Sequence, residues 1–344
     1  MNVPLLSSNN LLRIDVAAET ERISAAINET VLLRFRRKGA VVAVSGGIDS
    51  SVVAALCVRA LGPARVIALF LPEEDSSDES LRLGTTLAQH LGIRSFTEDI
   101  RQILHAADCY RRRDEAIRSV VPEYGEGYKS KIVLPTFTDD NRYALFSLVV
   151  QSPTGQTWKV RLSLDAYLGI VAATNFKQRT RKMMEYYYAD RYYYAVAGTP
   201  NRLEYDQGFF VKNGDGSADF KPIAHLYKSQ VYQLAAYLDI PCEIQNRTPT
   251  TDTYSLEQSQ EEFYFSMPLL IFDLCLYGRT NGFSVEQVAT ITGLTCKQVR
   301  ATFTAIDAKR RASVYLHQSA VIFDSVQTGI ADQKNRDEYS NPSE

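Results

Sequence analysis

Serine and glycine residues cluster between two apolar runs in the stretch "VVAVSGGIDSSVVAAL", residues 41–56. The β-branched run before them predicts a buried strand, and the apolar spacing after them predicts a helix. In this order, Ser45, Gly46 and Gly47 allow backbone N–H groups and the helix N-terminus to converge on a phosphate-sized anion. Taken alone, "SGG" is more typical of a βα turn with a serine cap, so the neighbouring residues must decide.

Asp49 lies two residues after Gly47 and favours a phosphate loop over a plain turn. A carboxylate beside a phosphate would repel it unless a divalent cation lay between them. Mg²⁺ is commonly held by one or two carboxylates together with substrate phosphates. We therefore predict that a nucleotide and Mg²⁺ bind at this loop.

A second dense group of polar residues lies in "GTPNRLEYDQGFFVKNGDGSADFKPIAHLYKSQ", residues 198–230. It follows a predicted strand, at the edge where open α/β sheets bind their ligands. Such polarity is ordinarily that of a solvated surface loop, but here both signs of charge meet an edge that already carries the phosphate loop. The polar side chains on offer are Thr199, Glu204, Lys212, Asp215, Asp219 and Lys228.

Strands and helices that alternate along the chain would position both motifs. Residues 65–71 predict a second buried strand, and residues 79–93 predict the helix that follows it. Residues 19–37 predict a helix before the first strand, and residues 192–198 another buried strand. The pattern predicts an α/β fold, a doubly wound parallel sheet with helices on both faces.

The alternation breaks between residues 120 and 164. Residues 143–151 and 157–164 alternate in polarity, and the "SPTG" between them has the chemistry of a hairpin turn. We predict an inserted β-hairpin whose Leu148 and Val150 face must be covered by other residues.

The 344 residues are 45% hydrophobic and carry a net charge of −2. Such a chain can form a large core, and its charge gives no case for nucleic acid or an anionic membrane. The five cysteines lie far apart without a CxxC pair, which favours a reducing cytoplasm over disulfides or a zinc site. We expect no export signal or membrane anchor, because no apolar run reaches the length of a span.

The C-terminal part predicts helices followed by a polar tail. Residues 283–306 contain two short amphipathic helices around "TGLT", similar to a helix-turn-helix. Only Lys297 and Arg300 of the second helix could meet a phosphate backbone, so structural packing is favoured over DNA binding. We predict one domain over residues 1–323, with a helical C-terminal segment, and a disordered tail over residues 324–344.

The phosphate loop "SGGIDS" resembles that of ATP pyrophosphatases, which cleave ATP to AMP and pyrophosphate while activating a substrate. Residues 198–230 resemble the NAD synthetase family in particular, as do "NFKQRTRKM" at 175–183 and "TPTTD" at 248–252. The resemblance implies an adenine-nucleotide α-hydrolase-like fold. It also implies that ATP adenylates the nicotinate carboxylate of deamido-NAD before ammonia displaces AMP.

The resemblance implies a role for each matching residue. Asp49 and Glu204 would bind Mg²⁺, and Asp49 and Lys228 would be catalytic, without a protein nucleophile. The residues implied to contact ATP are Ser45, Gly46, Gly47, Ile48, Asp49, Ser50, Ser51, Thr199, Lys228 and Thr250. Those implied to contact deamido-NAD are Arg179, Lys212, Asp219 and Lys309.

The resemblance also implies a homodimer that binds the dinucleotide across a two-fold interface. The aromatic face of "MMEYYY", residues 183–188, suits such a contact better than base stacking. Ammonia would be free or supplied by a separate glutaminase, because the chain is too short for an attached nitrilase-type domain. The insertion has no counterpart in the family, and we expect it to modify access of the acid substrate and to be dispensable for ATP binding. A decorative hairpin is the alternative.

This sequence departs from the family at several positions on the dinucleotide side. Pro200 and Asn201 stand where the family has Asp-His, and Ala308 stands where it has the histidine of a His-Lys pair. One alternative is therefore an amide synthetase that acts on a different carboxylate. Another is a catalytically silent scaffold, against which the intact Asp49 and Lys228 argue. A tRNA-modifying enzyme is disfavoured by the missing cysteine pair and the mildly acidic charge.

Overall fold

The computed structural model describes residues 11–133, 146–250, 254–256 and 267–323. The tail at residues 324–344 lies outside the described residues, as do residues 143–145 at the start of a predicted strand. Among the described helices, none combines the length and the apolar composition that crossing a bilayer requires.

Four parallel strands form the central sheet. They are β1 (Ala40–Ala43), β2 (Val66–Phe70), β3 (Arg94–Thr97) and β7 (Ala195–Ala197). Their order in the sheet is β3-β2-β1-β7, and Val41 of β1 pairs with Ile67 on one side and Val196 on the other. The strand order reverses between β1 and β7, and such a switch point is where open α/β sheets bind ligands.

Helices connect and flank these strands. They are α1 (Val16–Asn28), α2 (Ile48–Leu61), α3 (Asp78–His90), α4 (Arg101–Ala106), α5 (Cys109–Arg118), α6 (Leu164–Tyr192), α7 (Arg202–Gln207), α8 (Lys228–Tyr237), α9 (Cys242–Gln245), α10 (Leu269–Thr280), α11 (Val285–Thr292) and α12 (Cys296–His317). A π-helical segment, Glu29–Arg34, continues α1, and a short 3₁₀ turn, Pro63–Arg65, precedes β2.

Successive side chains of β1 are buried on opposite faces of the sheet, as the two-residue period of a strand requires. Ala40 and Val42 pack with apolar residues of α1, α2, α3 and α8. Val41 packs on the other face with apolar residues of α4, α5 and α6. Helices therefore cover both faces, which confirms the predicted doubly wound architecture.

The insertion forms a second, antiparallel sheet. Its strands are β4 (Lys129–Val133), β5 (Ser147–Gln151) and β6 (Thr157–Arg161), in the order β4-β5-β6. The hairpin of β5 and β6 matches the prediction, and its Leu148 and Val150 are fully buried against α5 and α6. The sequence did not reveal β4, because its two adjacent large apolar residues are too short a run to indicate a strand without its partner.

The C-terminal helices α10, α11 and α12 pack into a separate apolar cluster. The "TGLT" turn lies between α11 and α12, where Gly293 has φ +74°. The second helix of this pair is longer than predicted, with 22 residues.

Candidate functional site

The phosphate loop connects the carboxyl end of β1 to α2. Gly46 has φ +72°, and a Cβ there would lie 2.7 Å from the carbonyl oxygen of Ser80, so only glycine fits the turn. Ser51 donates a hydrogen bond of 2.8 Å to the carbonyl oxygen of Gly47, and Ser50 donates one of 3.1 Å to the same oxygen. These hydroxyls hold the loop against the first turn of α2.

Asp49, in the first turn of α2, contacts two side chains from the other side of the switch point. Lys228 forms an ion pair with its carboxylate, although 179 residues separate the two in sequence. The Nδ2 of Asn201 donates a hydrogen bond of 3.1 Å to Oδ1 of Asp49. The N-terminal end of α2 also favours a carboxylate at this position.

Glu204 lies half-buried in α7, beside the same group. The backbone N–H of Asn201 donates to Oε2 of Glu204 at 3.1 Å, and the N–H of Glu204 donates to Oδ1 of Asn201 at 3.1 Å. Burial and then the charge of Asp49 raise the pKa of Glu204 to about 8, while Lys228 opposes the shift. The two carboxylates therefore lie close enough to repel each other electrostatically.

Lys228 begins α8 and is 1% exposed, although its polar sequence surroundings suggested a solvated loop. Its backbone N–H and that of Ser229 donate to the carboxylate of Asp273 at 3.2 and 2.7 Å, so α10 fixes the start of α8. Burial alone would lower the pKa of Lys228, but the carboxylates of Asp49 and Glu204 raise it above its usual value. The buried ammonium is therefore charged at neutral pH.

Asp49 and Glu204 suit a magnesium ion that also binds nucleotide phosphates. One residue, Asn201, makes hydrogen bonds to both carboxylates, and the charge of Asp49 raises the pKa of Glu204. Within the described residues, no group of three or more His, Cys, Asp or Glu side chains is arranged to hold a metal. The protein would supply two ligands and the nucleotide others, which is a coordination typical of Mg²⁺.

Arg247 contacts the phosphate loop, and sequence reasoning missed it. Its Nη1 donates to the carbonyl oxygen of Ser45 at 3.4 Å, and its Nη2 donates to Oγ of Ser80 at 2.9 Å. The guanidinium places positive charge beside the loop that would hold phosphate oxygens. The available signal was its position directly before "TPT", residues 248–250.

A cavity of about 460 Å³ lies at this sheet edge. The residues of the predicted ATP set that line it are Ser45, Gly47, Ile48, Asp49, Ser50, Thr199, Lys228 and Thr250. Glu204 and Arg247 line it as well. Gly46 and Ser51 do not line the cavity, because Gly46 packs against α3 and Ser51 is fully buried. The structure thus gathers most of the predicted ATP residues around one cavity.

The four predicted deamido-NAD residues do not line this cavity. The Nε of Arg179 donates to the carbonyl oxygen of Lys212 at 3.3 Å, so these two residues are neighbours. The Nζ of Lys212 donates to the carbonyl oxygens of Tyr315 and Gln318 at 2.7 and 2.8 Å. In this conformation Lys212 holds the C-terminal end of α12.

Asp219 and Lys309 are also engaged within the chain. The carboxylate of Asp219 accepts hydrogen bonds from the N–H of Val196 at 2.7 Å and the hydroxyl of Tyr186 at 3.2 Å. Lys309 lies half-buried on α12, with Nζ 5.9 Å from the ring centre of Phe272, and burial lowers its pKa to about 7. The residues predicted to contact deamido-NAD are therefore spread over α6, the segment between α7 and α8, and α12.

A buried ionic network fixes the loop after β2, which borders the cavity. Lys177 of α6 pairs with Glu73 at 3.1 Å and with Asp75, and Arg113 of α5 pairs with Asp75 at 2.7 Å. The hydroxyl of Tyr110 donates to Glu73 at 2.9 Å. None of the four charged side chains is more than 11% exposed. Sequence reasoning missed this network, since its members are scattered along the chain.

A doubly wound parallel sheet with a glycine-containing loop at its switch point and an Asp–Lys ion pair beside that loop is the arrangement that the resemblance to ATP pyrophosphatases implied. The NAD synthase family model matches residues 19–121 and 159–311 of this chain. The chain belongs to the NAD synthase family, as the sequence resemblance predicted.

Individual relatives agree with the family. A protein of Mesorhizobium japonicum named NH(3)-dependent NAD(+) synthetase is 56% identical over 319 residues, which are 93% of this chain and 99% of the relative. One of the same name from Thermotoga maritima is 36% identical over 70% of this chain and 80% of the relative.

Solved structures of similar fold were also found. An NH3-dependent NAD synthetase of Campylobacter jejuni has a TM-score of 0.60 at 21% identity. The matched region covers 91% of this chain and 100% of the Campylobacter chain. An NMN synthetase of Francisella tularensis has a TM-score of 0.62 at 21% identity. The matched region covers 90% of this chain and 99% of the Francisella chain. At this identity the likeness concerns the fold, and it confirms the predicted α/β architecture.

Proposed function

We propose that the protein is an ATP-dependent amide synthetase that converts deamido-NAD and ammonia to NAD, AMP and pyrophosphate. The observation that carries the proposal is the contact of Asp49 with both Lys228 and Asn201 beside the phosphate loop. Relatives of 53 to 56% identity named NH(3)-dependent NAD(+) synthetase support the same reaction.

In the first step, an oxygen of the nicotinate carboxylate attacks the α-phosphorus of ATP. The bond from that phosphorus to the bridging oxygen breaks, and pyrophosphate leaves. Bound Mg²⁺ would neutralise phosphate charge in this step. Lys228 and the loop N–H groups would stabilise the charge that develops on pyrophosphate, at little cost in reorganisation because Asp49 and Asp273 already fix the start of α8.

In the second step, the nitrogen of ammonia attacks the carbonyl carbon of the acyl adenylate. The carbon–oxygen bond to AMP breaks, and the nitrogen loses one proton, which leaves the neutral carboxamide. No protein nucleophile is required, so the chain's task is to bind, align and exclude water from the adenylate.

We propose that ATP occupies the cavity through the phosphate loop, Thr199, Lys228 and Thr250, with Arg247 as an added contact. Asp49 and Glu204 would hold Mg²⁺. Because Arg179, Lys212, Asp219 and Lys309 lie outside the cavity lining, deamido-NAD would extend away from the ATP site toward α6 and α12.

We further propose a homodimer in which a second protomer completes the dinucleotide site. An exposed apolar stripe on α6 supports it, since Leu168, Met183 and Tyr187 are 51, 53 and 48% exposed. We propose that residues 1–323 act as one domain in the cytoplasm, and that ammonia is free or comes from a separate glutaminase.

One assay tests the reaction. The protein is incubated with ATP, MgCl₂ and ¹⁵N-ammonium in three parallel samples, with deamido-NAD, nicotinate mononucleotide or no acid. Mass spectrometry follows AMP, pyrophosphate and the labelled amide. We expect ¹⁵N-NAD and equimolar AMP with deamido-NAD only. Label in the mononucleotide product alone would show a different carboxylate substrate, and no AMP in any sample would indicate a silent scaffold.

A further inference from the structure

The residues on either side of Thr250 are attached to two different parts of the molecule. On one side, Arg247 donates to the phosphate loop at Ser45. On the other side, residues 254–256 bind the inserted sheet. Thr248, Pro249, Thr250 and Tyr254 all line the cavity. The inserted sheet thus contacts the same wall of the cavity as the phosphate loop.

Hydrogen bonds join the inserted sheet to this wall. The backbone N–H of Ser130 in β4 donates to Oγ of Ser255 at 2.9 Å, and the N–H of Leu256 donates to the carbonyl oxygen of Ser130 at 3.2 Å. The hydroxyl of Tyr124 lies 3.1 Å from Oγ of Ser130. Ser130 is only 2% exposed, so these bonds are shielded from water and unfavourable to leave unmade.

Aromatic packing joins the same two parts. Tyr254 is 8% exposed and packs in one apolar cluster with Ile132 and Leu148 of the inserted sheet. Phe146, just before β5, stacks on Tyr167 of α6 with ring centres 4.0 Å apart. Tyr167 and Tyr254 both line the cavity, so the insertion holds two aromatic rings of its wall from behind.

We propose that the inserted sheet positions the nucleotide wall of the cavity, with Ser130 and Phe146 as positioning residues for ATP binding. This inference rests on the proposed function, because it takes ATP as the occupant next to Thr250. It reverses the expectation that the insertion is dispensable for ATP binding. The family model leaves residues 122–158 unmatched, so this support is an addition to the family's shared core.

Point variants test the inference better than deletion, because removing the sheet would expose the apolar residues it covers on α5 and α6. Ser255→Ala removes the acceptor of the Ser130 N–H, and Phe146→Ala removes the stacking on Tyr167. Ser152→Ala is the matched control, since Ser152 lies in the β5–β6 turn and its hydroxyl forms hydrogen bonds with Thr154 and Gln156 of the same turn. Phe146→Leu keeps apolar volume and serves as the conservative variant.

Two measurements are made on each full-length variant. Calorimetric titration with ATP and Mg²⁺, in the absence of any acid substrate, gives the ATP Kd, and steady-state assays give KM for ATP, for the acid and for ammonium. We expect Kd and KM for ATP to rise about 5-fold in Ser255→Ala and about 2- to 10-fold in Phe146→Ala. The other KM values and kcat at saturating ATP should stay within a factor of about 2, and Phe146→Leu should recover part of the loss.

Other outcomes would contradict the inference or the proposed reaction. A changed KM for the acid with an unchanged ATP Kd would assign the insertion to the acid substrate and overturn the inference. A lowered melting temperature with every binding constant unchanged would show that the sheet stabilises the fold without positioning the ATP site, and would also overturn the inference. Wild-type protein that binds ATP but forms no NAD would overturn the proposed reaction alone, and the ATP titrations would still decide the role of the sheet.

Discussion

The Nδ2 of Asn201 lies 3.1 Å from Oδ1 of Asp49, and the backbone N–H of the same asparagine donates to Glu204. One residue between β7 and α7 thereby orients both proposed magnesium ligands. This position is one of the departures from the family pattern, where Asp-His stands in place of Pro200 and Asn201. The departure from the family pattern therefore lies beside the two proposed magnesium ligands.

Asp49→Asn should reduce pyrophosphate release by at least about 100-fold, because it removes one of two Mg²⁺ ligands and one partner of Lys228. The amide keeps the shape of the side chain, so we expect the circular dichroism spectrum to be retained. A coupled pyrophosphate assay over a MgCl₂ titration measures the loss. Asp78→Asn, an exposed carboxylate at the start of α3, is the matched control. Near wild-type turnover of Asp49→Asn would remove the metal assignment.

Lys228→Ala should lose both stability and turnover. In a polar loop this lysine would be dispensable for folding, but burial beside Asp49 and Glu204 changes that expectation. Removing one partner of a buried ion pair costs about 3–5 kcal/mol of unfolding free energy, and Lys228 is the buried partner of Asp49. We expect Mg²⁺ with ATP to raise the melting temperature of this variant more than that of wild type, because the cation replaces the lost positive charge. An equal rise in melting temperature in both proteins would contradict the proposal that Lys228 and Mg²⁺ bind the same carboxylates.

The apolar stripe on α6 should lie in a dimer interface. We expect light scattering to give the mass of a dimer for wild type at micromolar concentration, and of a monomer for Met183→Asp, because a buried unpaired charge opposes association. Leu33→Asp places the same charge at another exposed apolar residue, 70% exposed, and should remain dimeric. A monomeric wild type would remove the proposal that a second protomer completes the site.

Asp273 should make stability depend on pH in a defined interval. Burial raises its pKa from 3.8 to about 6, so between these values the folded protein binds more protons than the unfolded chain. The contribution of Asp273 to the unfolding free energy therefore falls as pH rises through this interval, by about 3 kcal/mol in total. Above the interval this contribution is constant. We expect the unfolding free energy of wild type minus that of Asp273→Asn to grow as pH is lowered from about 7 to 4. Urea titrations measure it, and a constant difference would contradict the shift.

The phosphate loop and the alternation of strands and helices could be predicted, because both depend on neighbouring residues. "VVAV" before two glycines indicates a strand and turn whatever the rest of the chain does. The pairing of Asp49 with Lys228 is different, since it joins residues 179 positions apart. Sequence reasoning placed both residues at one edge of the sheet, but only the resemblance to a family assigned them to one catalytic site.

Arg247 and β4 show what could not be predicted. Arg247 contacts the loop only because α9 ends beside α3, and its position before "TPT" does not by itself indicate this contact. The strand β4 exists because β5 supplies its hydrogen-bonding partner, and its own short apolar run is compatible with a loop. Both features depend on tertiary contacts that a single sequence does not encode locally.

The ionic network around Lys177 also constrains how this chain can change over generations. Replacing Lys177 alone would leave Glu73 with only the guanidinium of Arg181, 3.9 Å away, as a counterion in a nearly dry interior, and breaking such a buried pair costs several kcal/mol. We therefore expect Glu73 and Lys177 to change together rather than singly, although they lie 104 residues apart. A lineage that exchanges this network for apolar packing must change several codons together, or pass through ancestors whose loop after β2 had come loose from α5 and α6.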